Sequence, residues 1–172
     1  MRKFLLLIVA ALAVVAMPST ALAAVNVKSL PTATFSGPTV TLTGGNFSGL
    51  GSVPAIATLT VQGSATYTCT NQGGNAAPGQ NPVPAQPGSA NQDLGNADHN
   101  GRGTITDLTA SVTAGPTPTP QQVGCGGGGS NNWTVTLNTL TATSAHLVIT
   151  QTGSIIFCRN YTLGGPATGT AC

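Results

Sequence analysis

The 172-residue sequence contains no glutamate, and its whole complement of charge is five lysines and arginines against three aspartates. Beyond residue 23 the cations are Lys28, Arg102 and Arg159 and the anions Asp93, Asp98 and Asp107, so three minus three leaves zero. Such a chain has no field to gather nucleic acid or anionic lipid, which removes both from the expected partners. Three aspartates supply no paired carboxylates for glycoside hydrolysis. No G-x-S-x-G elbow presents a serine nucleophile, and His99 and His146 are the only histidines. The glycine run at Gly124 to Gly129 lacks the Lys-Ser/Thr of a phosphate cradle and opens no helical pattern. These absences predict a protein that is not an enzyme and carries no cofactor. Charge near zero also removes the repulsion that opposes self-association.

Long apolar runs are confined to the N-terminus. Met1-Arg2-Lys3, the apolar stretch Phe4 to Met17 and the small-x-small triplet Ala21-Leu22-Ala23 read as a secretory signal peptide over 1–23. The apolar run is shorter than the roughly 18–20 residues that span a bilayer, which favours cleavage over anchoring. The remainder, 24–172, is then 172 − 23 = 149 residues, the size of one domain. It is expected to be secreted and extracellular, with no membrane contact after cleavage.

Four cysteines remain, Cys69, Cys125, Cys158 and Cys172. An even number in an exported chain indicates two disulfides rather than a metal site. Of the three possible pairings, Cys69–Cys125 with Cys158–Cys172 is preferred, because the second bridge would tie down the flexible GGPATGTA tail.

The dominant pattern is period-two alternation. From Ala55 to Cys69 the odd positions include Leu59, Val61, Ala65 and Tyr67, while Thr58 to Thr68 supplies polar even positions. That is a half-buried strand, with Gly63 as its expected bend or bulge. Pro38 to Thr43 alternates with Val40 and Leu42 inward, and Gly44-Gly45-Asn46 reads as a turn into a partner strand at Phe47 to Leu50. Gly103 to Thr113 reads as one strand with Ile105 out of phase at a bulge. Trp133 to Leu137 and Ala145 to Ile149 alternate cleanly. Gln151-Thr152-Gly153-Ser154 is a hairpin turn into a strand where Ile155, Phe157, Tyr161 and Leu163 oppose Ile156 and Cys158, which suggests a central position. Two stretches break the pattern and are expected as long irregular loops, at about 71–100 and 114–131. In the first, Pro78, Pro82, Pro84 and Pro87 leave at most a short edge strand at Val83 to Gln86. No segment beyond residue 23 has helical periodicity. The expected fold is all-β: one antiparallel β-sandwich, immunoglobulin-like or a similar Greek key, of about seven to nine strands with two disulfides.

The run Tyr67 to Pro82 (YTCTNQGGNAAPGQNP), the later Asn100-Gly101-Arg102 and the segment from Cys125 to Trp133 resemble a group of small secreted bacterial proteins common in actinobacteria. The similarity covers about Thr39 to Tyr161, and its most specific part is C-T-N-x-G-G-N-x-x-P-G-Q-N. The group more often has C-P-N-P-N-W where this chain has GGGGSNN between Cys125 and Trp133, so the resemblance does not carry the loop conformation over, though it keeps the cysteine. The resemblance implies an extracellular β domain and brings no catalytic residues.

Few residues suggest a site. Asn96, Asp98, Asn100 and Asp107 approximate a D-x-[DN]-x-[DN]-G calcium loop, with Asn for the first Asp and Asp for the final bidentate Glu. Trp133, Tyr67, Phe157 and Tyr161 offer either a sugar-stacking platform or core, and the phase of Trp133 with Val135 and Leu137 favours core. The expectation is a surface, matrix or adhesion protein whose partners are itself or other extracellular components. The alternative is a carbohydrate-binding module assisted by calcium, and a secreted hydrolase stands third.

Overall fold

The computed structural model describes residues 25–79, 82–95, 101–125 and 132–172, and in these the chain is all-β, antiparallel throughout, with no α-helix. Two strands carry the architecture: β5 (Ala55–Asn71) and β11 (Trp133–Gln151), paired in antiparallel register from Gln151↔Ala55 to Trp133↔Asn71. Along β5 the alternation holds as expected, with Ala55, Ala57, Leu59, Val61, Ala65, Tyr67 and Cys69 buried. Gly63 stands midway. A β-carbon built there would lie 2.2 Å from the Thr141 carbonyl oxygen, so only glycine allows the two backbones to approach so closely. The bulge itself belongs to the partner: register shifts between Ala142 and Ser144, leaving Thr143 as the extra residue. The freed backbone groups are used elsewhere. Ala142 N–H donates to Gly37 O (2.8 Å), and Thr143 O accepts from Leu163 N–H (2.9 Å).

The described residues form thirteen strands, more than the seven to nine expected, because several are short pieces. The large sheet continues from β11 through β12 (Ser154–Thr162) to β13 (Thr170–Ala171). On the other side of β5, the stretch read as a long irregular loop runs back along that strand. Ala76–Pro78 (β6) pairs with Thr68 to Thr70, Val83–Pro84 (β7) with Ser64 and Ala65, and Gly88–Asp93 (β8) with Ile56 to Val61. Prolines lack the ladder donor, so this edge is built in fragments. Its Asn/Gln/Ser composition hides the strand signal.

Two smaller three-stranded sheets cover the inner face. One has the order β1 (Asn26–Ser29), β4 (Gly45–Ser48), β9 (Gly103–Ile105); the other β10 (Leu108–Ser111), β3 (Thr39–Thr43), β2 (Thr32–Ser36). Here two local expectations are corrected. Gly44 is not a hairpin turn, since β4 pairs with β1 and β9 and not with β3. Nor is Ile105 at a bulge in one strand. Both chains change sheet at the same level, at Gly44 (φ 79°) and at Thr106-Asp107, and Gly44 N–H donates to Ile105 O across the corner. The change of sheet resets the alternation, so that Leu42 and Phe47, and Ile105 and Leu108, all face the core.

That core joins all three sheets, and Phe47 of β4 meets Phe157 of β12 edge-on with ring centroids 5.0 Å apart. A second, smaller cluster lies under the far half of the β5–β11 ribbon: Ala65, Tyr67, Cys69, Val123 and Cys125, with Trp133 and Val135 against it. The disulfides are Cys69–Cys125 and Cys158–Cys172, the preferred pairing. The β11–β12 hairpin turn is where it was expected. The central placement of β12 is not: Ile155 is 65 % exposed and Leu163 52 %, a bulge falls between the Ile149 and Thr150 pairs, and only two residues of β13 flank the strand. Apolar residues on both faces therefore mark an irregular near-edge strand here.

Two substitutions test this geometry. Gly63→Ala should destabilise the fold by about 1–3 kcal/mol, since a methyl group at 2.2 Å from a carbonyl forces the ribbon apart. Thr152 sits at φ 48°, unfavourable for a β-branched residue. Thr152→Asn should stabilise by about 1 kcal/mol by creating the Asn-Gly turn suited to this hairpin. Urea unfolding of both variants measures the two effects, and a neutral Gly63→Ala would contradict the close approach.

Candidate functional site

Outward positions of adjoining strands meet in rows across the large sheet. Register places Gln62, Ser144 and Thr162 in one row and Thr60, His146 and Asn160 in the next. These six side chains line a shallow open groove of about 380 Å³, floored by Ala145 and Tyr161. None of them carries a carboxylate or a permanent cation. The groove offers hydroxyls, amides and one imidazole, a surface for hydrogen bonding to neutral polar groups.

His146 is its most reactive member. It is exposed on β11, out of phase with the buried Ala145, Leu147 and Ile149, and its Nδ1 lies 2.7 Å from Asn160 Oδ1. An amide oxygen only accepts, so Nδ1 is the protonated nitrogen here, and in the neutral ring the free lone pair is on Nε2. The ring also borders the Cys158–Cys172 bridge, with Nε2 3.8 Å from Cys158 Sγ and Nδ1 3.9 Å from Cys172 Sγ. Tyr161 points inward beneath the groove, its hydroxyl donating to Pro31 O at 3.3 Å. Burial pushes its phenol up to about 12, and the Arg159 charge opposes that rise.

Hydroxyls dominate two other outward faces. On the β10–β3–β2 sheet the rows are Ser111, Thr39, Ser36 and Thr109, Thr41, Thr34, followed by Thr43 beside Thr32. Thr39 and Ser111 hydroxyls are 2.7 Å apart, and Thr41 and Thr109 hydroxyls 2.9 Å. On the far half of the ribbon Thr70–Thr134, Thr68–Thr136, Thr66–Thr139 and Ser64–Thr141 form four successive rungs. Rungs of this kind repeat about 4.8 Å across strands and about 6.8 Å along them.

Of the calcium-like set, Asn96, Asp98 and Asn100 lie outside the described residues, as do His99 and the 1–23 leader. Asp107 is exposed in the two-residue connection where the chain changes sheet, not within a strand as expected. The aromatic residues are accounted for by packing: Phe47, Tyr67 and Tyr161 are buried, and Phe35, Trp133 and Phe157 are half-buried. Sequence reading passed over Thr60, Gln62, Ser144, Asn160 and Thr162. Each is an ordinary outward residue, and only the register of three strands brings them together. Comparison with family models, with curated proteins and with solved structures finds no match.

The tyrosine gives a pH test. Its phenol ionises near 10 when unfolded and near 12 when folded. Stability from keeping it neutral is therefore complete below pH 10 and is lost as pH rises from 10 through 12. Tyr161→Phe should flatten that alkaline loss, as followed by thermal melts between pH 8 and 12. An unchanged profile would show that the buried phenol is not its source.

Proposed function

We propose that this protein is a non-enzymatic extracellular component of a surface or matrix, which associates with copies of itself through uncharged, hydroxyl-bearing β faces. The observation that carries this reading is the ordered rows of threonine and serine on two separate outward faces, with direct side-chain hydrogen bonds between strands. Such faces hold their hydroxyls in a fixed, repeating arrangement, and a second copy presents the same repeat. No charge on these rows opposes the approach.

The edges support the same reading. Fragmentation by proline protects the β6–β8 side, and Lys28 guards β1. Strand β2 (TATFS) is an edge of its sheet and has neither charge nor proline, though its Ala33 N–H is taken by Ala167 O (2.8 Å). Two disulfides fit an oxidising compartment, and secretion through the 1–23 leader is part of the proposal. The carbohydrate-binding alternative draws less support, because half-buried and buried aromatics provide no exposed stacking row. A groove that recognises sugars here would do so by hydrogen bonds alone.

Sedimentation velocity of the purified secreted protein over a concentration series tests the reading, run alongside a glycan array. We expect concentration-dependent association that Thr41→Lys weakens while lowering the melting temperature only slightly. Strict monomers at the highest concentration would overturn it. Selective binding on the array would move the function to the alternative.

A further inference from the structure

Cys158, Cys172 and His146 form the only group of three His, Cys, Asp or Glu residues among the described residues whose ligating atoms converge, all within 4.8 Å of one another. As a disulfide the two sulfurs hold no metal. We propose that the Cys158–Cys172 bridge is a reducible clasp, and that its reduced form is a thiolate–thiolate–imidazole site for zinc.

Four features of the molecule argue for this. The two bridges differ in access: Cys69 and Cys125 are 0 % and 5 % exposed in the smaller core, whereas Cys172 is exposed and Cys158 half-buried. Reductants therefore reach one bridge and not the other. The tail that carries Cys172 has other ties to β12 besides the sulfur–sulfur bond. β13 pairs with Arg159 and Asn160, and Arg159 Nε donates to Thr168 O at 3.0 Å. Reduction thus leaves the two thiols facing each other, with Cα atoms 5.7 Å apart. Sulfurs bound to one zinc at about 2.3 Å stand about 3.7 Å from each other, which side-chain rotation supplies. Lastly, Asn160 holds the imidazole by its Nδ1 proton and leaves Nε2 as the donor beside Cys158. An outer partner of this type commonly fixes a metal-binding histidine. Three protein ligands leave the fourth tetrahedral position open to water.

The chemistry balances in two steps. An external dithiol gives two electrons and two protons to the bridge, leaving two protein thiols and an oxidised cyclic disulfide. Zinc then displaces the two thiol protons to solvent and takes two thiolates and one neutral nitrogen. The ion would replace the covalent clasp between β12 and the tail, so the same closure would persist under reducing conditions.

The experiment uses the full secreted chain reduced by a phosphine, which does not compete for metal. Thiol titration should find two thiols per chain with the buried bridge intact. Cobalt(II) should then bind one per chain with a thiolate charge-transfer band, and zinc should erase that band. The oxidised protein and Cys158→Ser should show none. His146→Ala, a surface change, should weaken binding at least tenfold, and Asn160→Ala by a smaller factor. The proposal fails if the phosphine releases no thiols, if the reduced protein gives no band, if the band persists in Cys158→Ser, or if His146→Ala binds as tightly as the parent.

Discussion

Every residue of β5 finds a partner on β11, and the remaining strands are placed by what those two leave uncovered. Seventeen consecutive paired residues are too many for one flat ladder, because twist accumulates along a strand pair. Besides an extra residue at Asn138, the ribbon accommodates it by the missing side chain at Gly63 and the extra residue Thr143. These relieve the pairing at one level and turn loose backbone groups toward the β2–β3 turn and the end of β12. The same point divides the interior. Below it lies the main core, built with the two small sheets; above it lies the cluster around Tyr67 and the Cys69–Cys125 bridge.

Alternation made β5 and the two ends of β11 legible, since Leu59, Val61, Leu147 and Ile149 are apolar at every second place, but it did not show that β11 runs unbroken through Asn138 to Ser144. It misled where strands change sheet. A corner at Gly44 and a corner at Thr106-Asp107 each shift the phase by one residue, which in one dimension looks like a turn or a bulge. Strand pairing is a long-range property, so nothing local told β4 to pair with β1 and β9 instead of β3. The β6–β8 edge was hidden for a different reason. Its inward residues are small or few, because an edge beside an already buried strand has little apolar surface left to cover.

The groove was less legible than the fold. Alternation identified His146 as outward, but its nearness to the second disulfide arises from pairing with β12, whose register depends on the bulge near Ile156. The scarcity of charge, by contrast, read directly through to the surface. The molecule's outward rows present hydroxyls, amides and the His146 imidazole, groups that interact through shape and hydrogen bonding. Long-range attraction has little part.

The division of the ribbon into two halves has a consequence for motion. Among the described residues the far half has few elements over it: one proline-broken edge, the segment ending at Cys125 and a single covalent tie. Its opening free energy therefore falls well below that of the main core. The molecule should breathe from that end, with amide protons near Tyr67 and Val135 exchanging through local fraying and those near Leu59 and Leu147 only through global unfolding.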